Sequence, residues 1–111
     1  MPGSRRPTDS KRTTIPRYFT IADDFRKDWE NLSRSGKHDL HRLKEAMVLL
    51  IANDGPLPSE WKDHPLKGNK SNLRECHAKG DLLLLYRINE NADDGLVIFM
   101  RAGTHSELFG K

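Results

Sequence analysis

A chain of 111 residues has room for one hydrophobic core, because two cores built from so few residues would each be thin. Apolar residues make up 35% of the chain and charged residues 32%, which permits a modest core beneath a heavily charged surface. No apolar run approaches the roughly 20 residues that span a bilayer, and the N-terminus lacks an apolar signal segment, so neither a membrane protein nor a secreted one is expected.

The first 12 residues are polar, basic and proline-containing, so we expect a disordered basic tail ahead of a single domain over residues 13–111. Residues 1–17 hold five basic side chains and one acidic side chain, which gives this segment a net charge of +4. The whole chain carries +3, so the remaining residues together carry −1. Bulk charge therefore does not indicate nucleic-acid binding. Positive charge is instead concentrated in residues 61–81, which hold five basic and three acidic side chains.

A short strand is predicted at the start of the domain. β-branched and aromatic side chains are frequent over residues 13–20, but Pro16 lacks the amide that a sheet hydrogen bond needs. Proline is tolerated at the edges of sheets, so an edge strand is expected.

Two helices are predicted next. In the first, Phe25, Trp29 and Leu32 recur at helical spacing, Thr20 and Asp23 have the spacing of a capping box, and Gly36 provides a stop. The second is expected over residues 38–52 and ends at an Asn-Asp-Gly-Pro sequence; its wide apolar stripe comprises Leu40, Leu43, Met47, Leu50 and Ile51. A short polar turn between them predicts an antiparallel helical hairpin that packs on a sheet.

Three antiparallel strands are predicted in the second half, over residues 72–77, 82–89 and 96–102. Lys79 and Gly80 supply the first turn, and residues 91–95 supply the second. Four consecutive leucines at 82–85 occupy both faces of their strand, which is typical of a central strand.

Three of the five histidines lie in this sheet half, beside turns or strand ends. His64 precedes Pro65 in a loop, His77 ends a predicted strand, and His105 lies in a short C-terminal segment with Phe109. The other two histidines, His38 and His41, lie early in a helix and are expected to be surface residues.

The strand Arg74-Glu75-Cys76-His77 places a carboxylate beside an imidazole, because alternate side chains share a face. Arg74 and Cys76 then point to the opposite face, which disfavours a Cys76–His77 nucleophilic pair and indicates that Cys76 packs in the core. As the only cysteine, Cys76 cannot form an internal disulfide, which fits a cytoplasmic protein. Asp81, after Gly80, is either a turn residue or an acid that orients a histidine.

This inventory fits RNA cleavage without a metal. The reaction needs a base for the 2′-hydroxyl, an acid for the leaving 5′-oxygen and cations for the charged transition state. Histidine can perform both proton transfers, arginine and lysine bind phosphate, and Phe109 or Trp61 offers a ring for base stacking. Metal binding by the same groups competes with this interpretation, but no HxH, HExxH or CxxC spacing supports it.

Four blocks in this order, DHPLKG, RECH, GDLLLLYR and RAGTHSELFG, resemble the YafQ branch of the RelE-type toxins. The resemblance implies an α+β fold of RelE type, with β-α-α-β-β-β order and a helical hairpin packed on an antiparallel sheet. It also implies a toxin of a type II toxin–antitoxin pair that cleaves ribosome-bound messenger RNA in the ribosomal A site, without a cofactor, and that is neutralised by a cognate antitoxin.

The resemblance further implies roles for individual residues. His64, His77, Asp81 and His105 match the family's catalytic set. The substrate contacts would come from Glu75, which replaces the commoner aspartate, from Phe109, which closes the site, and from Arg74 and Arg101, which hold phosphate. Our hypothesis makes His105 the general acid and His77 or Asp81 the base, with His64 positioning the phosphate, although acid and base can be exchanged.

Two alternatives use the same fold. A toxin of the ParE type inhibits DNA gyrase without catalysis, but such a binder does not need three histidines together. A catalytically inactive relative that only binds an antitoxin or an operator is disfavoured for the same reason.

Overall fold

The computed structural model describes residues 15–68, 72–89 and 95–110. The elements in chain order are β1 (Tyr18–Ile21), α1 (Asp23–Ser35), α2 (Leu40–Ala52), a 3₁₀ turn (Ser59–Trp61), β2 (His64–Pro65), β3 (Leu73–Lys79), β4 (Leu82–Asn89), β5 (Leu96–Gly103) and α3 (His105–Phe109). The predicted tail over residues 1–12 and the turn at residues 91–94 lie outside the described residues. Among the helices described, none is long and apolar enough to cross a membrane.

The strands form one five-stranded sheet in the order β1-β5-β4-β3-β2. The leucine-rich β4 is central and β1 lies at an edge, as predicted. The strand begins at Tyr18, later than predicted, so Pro16 lies outside it. The sheet is mixed, because β1 runs parallel to β5 while the other pairs are antiparallel. The prediction of a purely antiparallel sheet is therefore wrong for β1. Parallel pairing needs a long connection, and the whole domain between β1 and β5 provides one.

The two long helices follow the predicted pattern, with differences at their starts. The N-cap of α1 is Ala22, without a side-chain cap, so the predicted capping box of Thr20 and Asp23 is wrong. The reason is that Thr20 belongs to β1. Gly36 ends α1 in the left-handed conformation, as predicted. The second helix begins at Leu40, two residues later than predicted, because the Asp39 side chain caps it.

Both helices cover one face of the sheet and form the core with it. Phe25 of α1, Leu43 of α2 and Phe99 of β5 are buried in one cluster. Cys76 is completely buried in the same cluster, as predicted. Trp61 is also buried, at 1% exposure, so the prediction that it could stack on a base is wrong. Its ring instead packs under the Arg42 guanidinium, 4.0 Å from the ring centroid.

The opposite face of the sheet is available for a functional site. In β4, Leu82 and Leu84 pack in the helical core, whereas Leu83 and Leu85 lie outside that cluster although they are buried. Leu83 pairs with His77 and Leu85 with Glu75 in the antiparallel register. Because alternate residues share a face, His77 and Glu75 lie on this second face.

Candidate active site

Four elements bring the predicted catalytic residues together on the second face of the sheet. His64 comes from β2, His77 from β3, Asp81 from the turn before β4, and His105 from α3. The ring centroids of His64 and His77 are 6.3 Å apart, and those of His77 and His105 are 6.2 Å apart. Phe109 continues the series, 6.0 Å from His105. The structure therefore arranges three histidines and an aromatic ring in one row.

Glu75 lies beneath the first two histidines. Its Oε2 atom is 3.6 Å from Nε2 of His64 and 3.3 Å from Nε2 of His77. Glu75 is only 5% exposed, and a buried carboxylate requires such partners. The half-exposed His64 ring therefore offers more surface to a substrate than the carboxylate does.

The orientation of the His64 ring is fixed by the backbone. Nδ1 of His64 lies 2.7 Å from the carbonyl oxygen of Lys62. A carbonyl oxygen can only accept, so Nδ1 carries a hydrogen and donates it. The other ring nitrogen, Nε2, faces Glu75.

His105 and Asp81 form a close pair on the surface. Nδ1 of His105 lies 2.5 Å from Oδ1 of Asp81, and the backbone amide of His105 lies 3.5 Å from the same oxygen. This hydrogen bond raises the pKa of His105 and lowers the pKa of Asp81. The cationic form of His105 is therefore favoured, with Nε2 left for another partner.

The helix α3 explains how His105 reaches the row. Thr104 and Glu107 form a capping box, in which the Thr104 hydroxyl accepts from the Glu107 amide and the Glu107 carboxylate accepts from the Thr104 amide. His105 and Phe109 are four residues apart, so they share one face of this helix. We did not predict α3 as a helix, although the Thr-x-x-Glu spacing was a readable signal.

The two arginines predicted to hold phosphate are both bound to carboxylates. Arg74 contacts Asp63 through Nη2 at 3.1 Å, and Arg101 contacts Asp28 through Nε at 2.7 Å. Arg74 lies on the face of β3 that carries Cys76, as its position in the strand predicts. The contacts described for these guanidinium groups are thus with acidic side chains and Tyr86, not with the histidine row.

Asp63 and Tyr86 lie beside the site and were not among the predicted site residues. Asp63 accepts hydrogen bonds from the Tyr86 hydroxyl and from Arg74. Asp63 precedes His64 directly, and this adjacency was the one available signal. Tyr86 carried no local signal, because a tyrosine in a central strand is typical of a core residue.

Within the residues described, no group of three or more histidine, cysteine, aspartate or glutamate side chains is arranged to hold a metal ion. The thiol of Cys76 is not a candidate nucleophile, since burial raises its pKa to about 12. The imidazoles of this site, which contact carboxylates, can transfer protons.

Comparison with known proteins identifies the family. The family model for the YafQ toxin, a bacterial toxin of type II toxin–antitoxin systems, matches residues 17–110. The mRNA interferase toxin YafQ of Escherichia coli K12 is 38% identical over 96 residues, which cover 86% of this chain and 99% of that protein.

Solved structures agree with this assignment. The Escherichia coli DinJ-YafQ toxin–antitoxin complex contains a chain that matches with a TM-score of 0.76 and 38% identity, covering 86% of this chain and all of that chain. A metal-bound toxin from Helicobacter pylori matches with a TM-score of 0.73 and 40% identity, over 84% of this chain and 99% of the other. The chain described here, with its RelE-like α+β fold, therefore belongs to the YafQ family of type II toxins.

Proposed function

We propose that this protein is the toxin of a type II toxin–antitoxin pair and an endoribonuclease that cleaves messenger RNA. The observation that carries the proposal is the row of His64, His77 and His105, in which Glu75 and Asp81 each contact an imidazole. The membership of the YafQ family, one of whose members is named an mRNA interferase, supports the same activity.

In the proposed reaction, a base removes the proton of the 2′-hydroxyl, whose oxygen then attacks the adjacent phosphorus. The bond from phosphorus to the 5′-oxygen breaks, and the general acid protonates that oxygen. This leaves a 2′,3′-cyclic phosphate on one fragment and a 5′-hydroxyl on the other. The scheme consumes no oxidant, reductant or cofactor.

His105 serves as the general acid. Its hydrogen bond with Asp81 raises its pKa, which favours the protonated form that a general acid needs. Asp81 engages Nδ1, which leaves Nε2 to protonate the 5′-oxygen. Phe109 lies beside His105 and is 38% exposed, so its ring serves as a stacking surface for a base.

His77 serves as the general base. Of the two candidates, Asp81 is the weaker acceptor, because its pKa is lowered by His105. His77 is held through Nε2 by Glu75, which leaves Nδ1 to accept the proton. His64 stabilises the phosphate, and Glu75 acts through the two histidines as a positioning residue. Arg74 and Arg101 remain candidates for phosphate contacts. Each now contacts a carboxylate, and it would bind phosphate either beside that carboxylate or in its place.

The test is cleavage of a translated message by the purified toxin, with the cuts mapped by primer extension. We expect His105→Ala and His77→Ala each to lower the cleavage rate about 10²- to 10⁴-fold, the usual contribution of a general acid or base. His38→Ala, in the turn between α1 and α2, is the matched control and should cleave at the wild-type rate. Full activity of His105→Ala would rule out the proposed acid.

Metal independence is tested in the same assay. Because the mechanism uses only imidazoles and carboxylates, treatment with EDTA should leave the rate unchanged. A loss that zinc, copper or magnesium restores would contradict the scheme. This control matters because the related Helicobacter pylori toxin has a metal-bound structure.

We further propose that cleavage depends on the ribosome, with messenger RNA bound in the A site, and that the toxin acts in the cytoplasm beside a cognate antitoxin. Support for the antitoxin comes from the DinJ-YafQ complex, whose toxin chain this protein resembles. Cleavage of ribosome-bound but not of free messenger RNA is the expected result. A gyrase supercoiling assay run in parallel should show no inhibition, whereas inhibition without cleavage would favour a ParE-like activity.

A further inference from the structure

We propose that Asp63, Tyr86 and Arg74 form an anchor that positions His64 in the active site. This inference rests on the proposed function. It adds Asp63 and Tyr86 to the nuclease site, and it requires no contact between the anchor and RNA. We refer to these three side chains as the Asp63 anchor.

The anchor is a closed set of hydrogen bonds. The Tyr86 hydroxyl donates to Oδ1 of Asp63. Arg74 donates to the same carboxylate through Nη2 at 3.1 Å and Nε at 3.4 Å, and its Nε also lies 3.3 Å from the Tyr86 hydroxyl. The Asp63 side chain is only 16% exposed, so these hydrogen-bond donors replace the water that would otherwise stabilise its negative charge.

Apart from the anchor, the backbone of His64 is held at the sheet edge by a very short strand. His64 lies on β2, a strand of two residues that pairs only with β3 at the edge of the sheet. Two residue pairs between β2 and β3 contribute little to holding the strand in place, because very short strands are only marginally stable. The ring also contacts the carbonyl oxygen of Lys62, but Lys62 lies in the same loop and has a left-handed backbone, with φ of 52°.

Asp63 and His64 act on opposite faces of the sheet. The carboxylate of Asp63 is bound to Arg74 and Tyr86, which lie on the helical face, whereas His64 contacts Glu75 on the other face. Successive side chains of an extended segment point in opposite directions, so fixing one fixes the backbone from which the next projects. The anchor therefore holds His64 beside Glu75 and His77.

Tyr86 and Arg74 suit this role chemically. Burial, followed by the hydrogen bond with Asp63, raises the pKa of Tyr86, so the phenol stays a neutral donor. Arg74 balances the charge of Asp63. The arginine that the sequence offered as a phosphate ligand thus has a defined task on the far side of the strand.

A double-mutant cycle tests the anchor through His64. We expect Asp63→Asn to lower kcat about 10- to 100-fold with little change in KM, since a displacement of about 1 Å at a catalytic group has costs of that size. Tyr86→Phe should give a smaller loss in the same direction. In a His64→Ala background, Asp63→Asn should cause no further loss. An equal loss in both backgrounds would overturn the proposal, because Asp63 would then act elsewhere or through the fold.

An NMR measurement decides the question without relying on cleavage. In the full chain, Asp63→Asn should shift the imidazole signals of His64 and leave those of His105 unchanged. Unchanged His64 signals would overturn the anchor, even if the nuclease proposal held. If His64→Ala cleaved normally, the role of His64 in the proposed function would fail, and the NMR result would still decide the anchor.

The matched control is Glu60→Gln, which removes an exposed acid in the adjoining 3₁₀ turn. Glu60 contacts Arg42 at 3.2 Å and takes no part in the anchor or the histidine row. This variant should keep the wild-type rate and the wild-type His64 signals. Thermal unfolding of every variant confirms that each assay uses folded protein.

Discussion

The pair of His105 and Asp81 matters for its effect on protonation more than for stability. The two side chains are 48% and 56% exposed, and ion pairs at such positions are strongly screened by solvent. Their hydrogen bond nevertheless raises the pKa of the imidazole and lowers the pKa of the carboxyl group. A raised histidine pKa extends the pH range in which the general acid holds its proton.

We predict that Asp81→Asn narrows this range. Without the carboxylate, the pKa of His105 falls toward the ordinary histidine value of 6.5, so the loss of activity with rising pH begins at a lower pH. The measurement is kcat/KM for RNA cleavage across the pH range. An unchanged alkaline limb in Asp81→Asn would show that Asp81 does not control the acid.

The same shifts give the sign of the pH dependence of stability. The raised pKa of His105 stabilises the folded protein. This contribution is complete at pH values below the pKa of the histidine in the unfolded chain, and it is lost as pH rises through its pKa in the folded chain. The lowered pKa of Asp81 also stabilises the folded protein. This contribution is complete above pH 3.8, the pKa of aspartate in the unfolded chain, and it is lost as pH falls through the pKa of Asp81 in the folded chain. Both contributions are therefore complete between pH 3.8 and 6.5.

Among the elements, α3 depends most on its caps. A helix of five residues is too short to be stable by itself, so its ends and its packing decide whether it forms. Thr104 and Glu107 satisfy amides at the start, and Gly110 ends the helix in the left-handed conformation. His105 is the first helical residue, which links the caps directly to the active site.

We predict that Thr104→Ala destabilises the protein by about 1 kcal/mol, the usual cost of losing an N-cap side chain. Because His105 follows the cap, the cleavage rate should fall as well. Chemical denaturation and the cleavage assay measure the two effects. Ser106→Ala, an exposed position of the same helix, is the control and should change neither quantity. A Thr104→Ala protein with wild-type stability and rate would show that α3 does not depend on this cap.

The two faces of the sheet differ in character. The histidine row lies on one face, and the helical layer on the other carries an apolar groove of about 520 Å³. Its walls include Phe19, Ile21 and Val48, which are 51%, 43% and 62% exposed. Exposed apolar patches of this kind mark protein interfaces, so we expect the cognate antitoxin to bind here.

We predict that Val48→Asp weakens antitoxin binding by tenfold or more, because a carboxylate would be buried in an apolar contact. Titration calorimetry with the cognate antitoxin measures the affinity. Cleavage by the free toxin should be unchanged, since Val48 belongs to the helical layer and not to the histidine row. Ser33→Asp adds the same charge to α1 outside the groove and is the control. Unchanged affinity of Val48→Asp would exclude this groove, and loss of self-association would indicate a second copy as the occupant.

Features controlled by local geometry were predictable from the residues alone. Helical spacing gave α1 and α2, and alternation along a strand placed Glu75 and His77 on one face and Cys76 in the core. The four consecutive leucines correctly predicted the central strand. These features follow from residues that are close in sequence, so neighbouring side chains and backbone periodicity specify them.

Contacts between residues that are distant in the chain became visible in the folded protein alone. His105 meets Asp81 across 24 positions, and Tyr86 meets Asp63 across 23. The parallel pairing of β1, the burial of Trp61 and the carboxylate partner of Arg101 are of the same kind. Such contacts depend on how complete elements pack against each other, and no local pattern records that packing. The three histidines were readable one by one, but the row that they form exists only in the folded sheet.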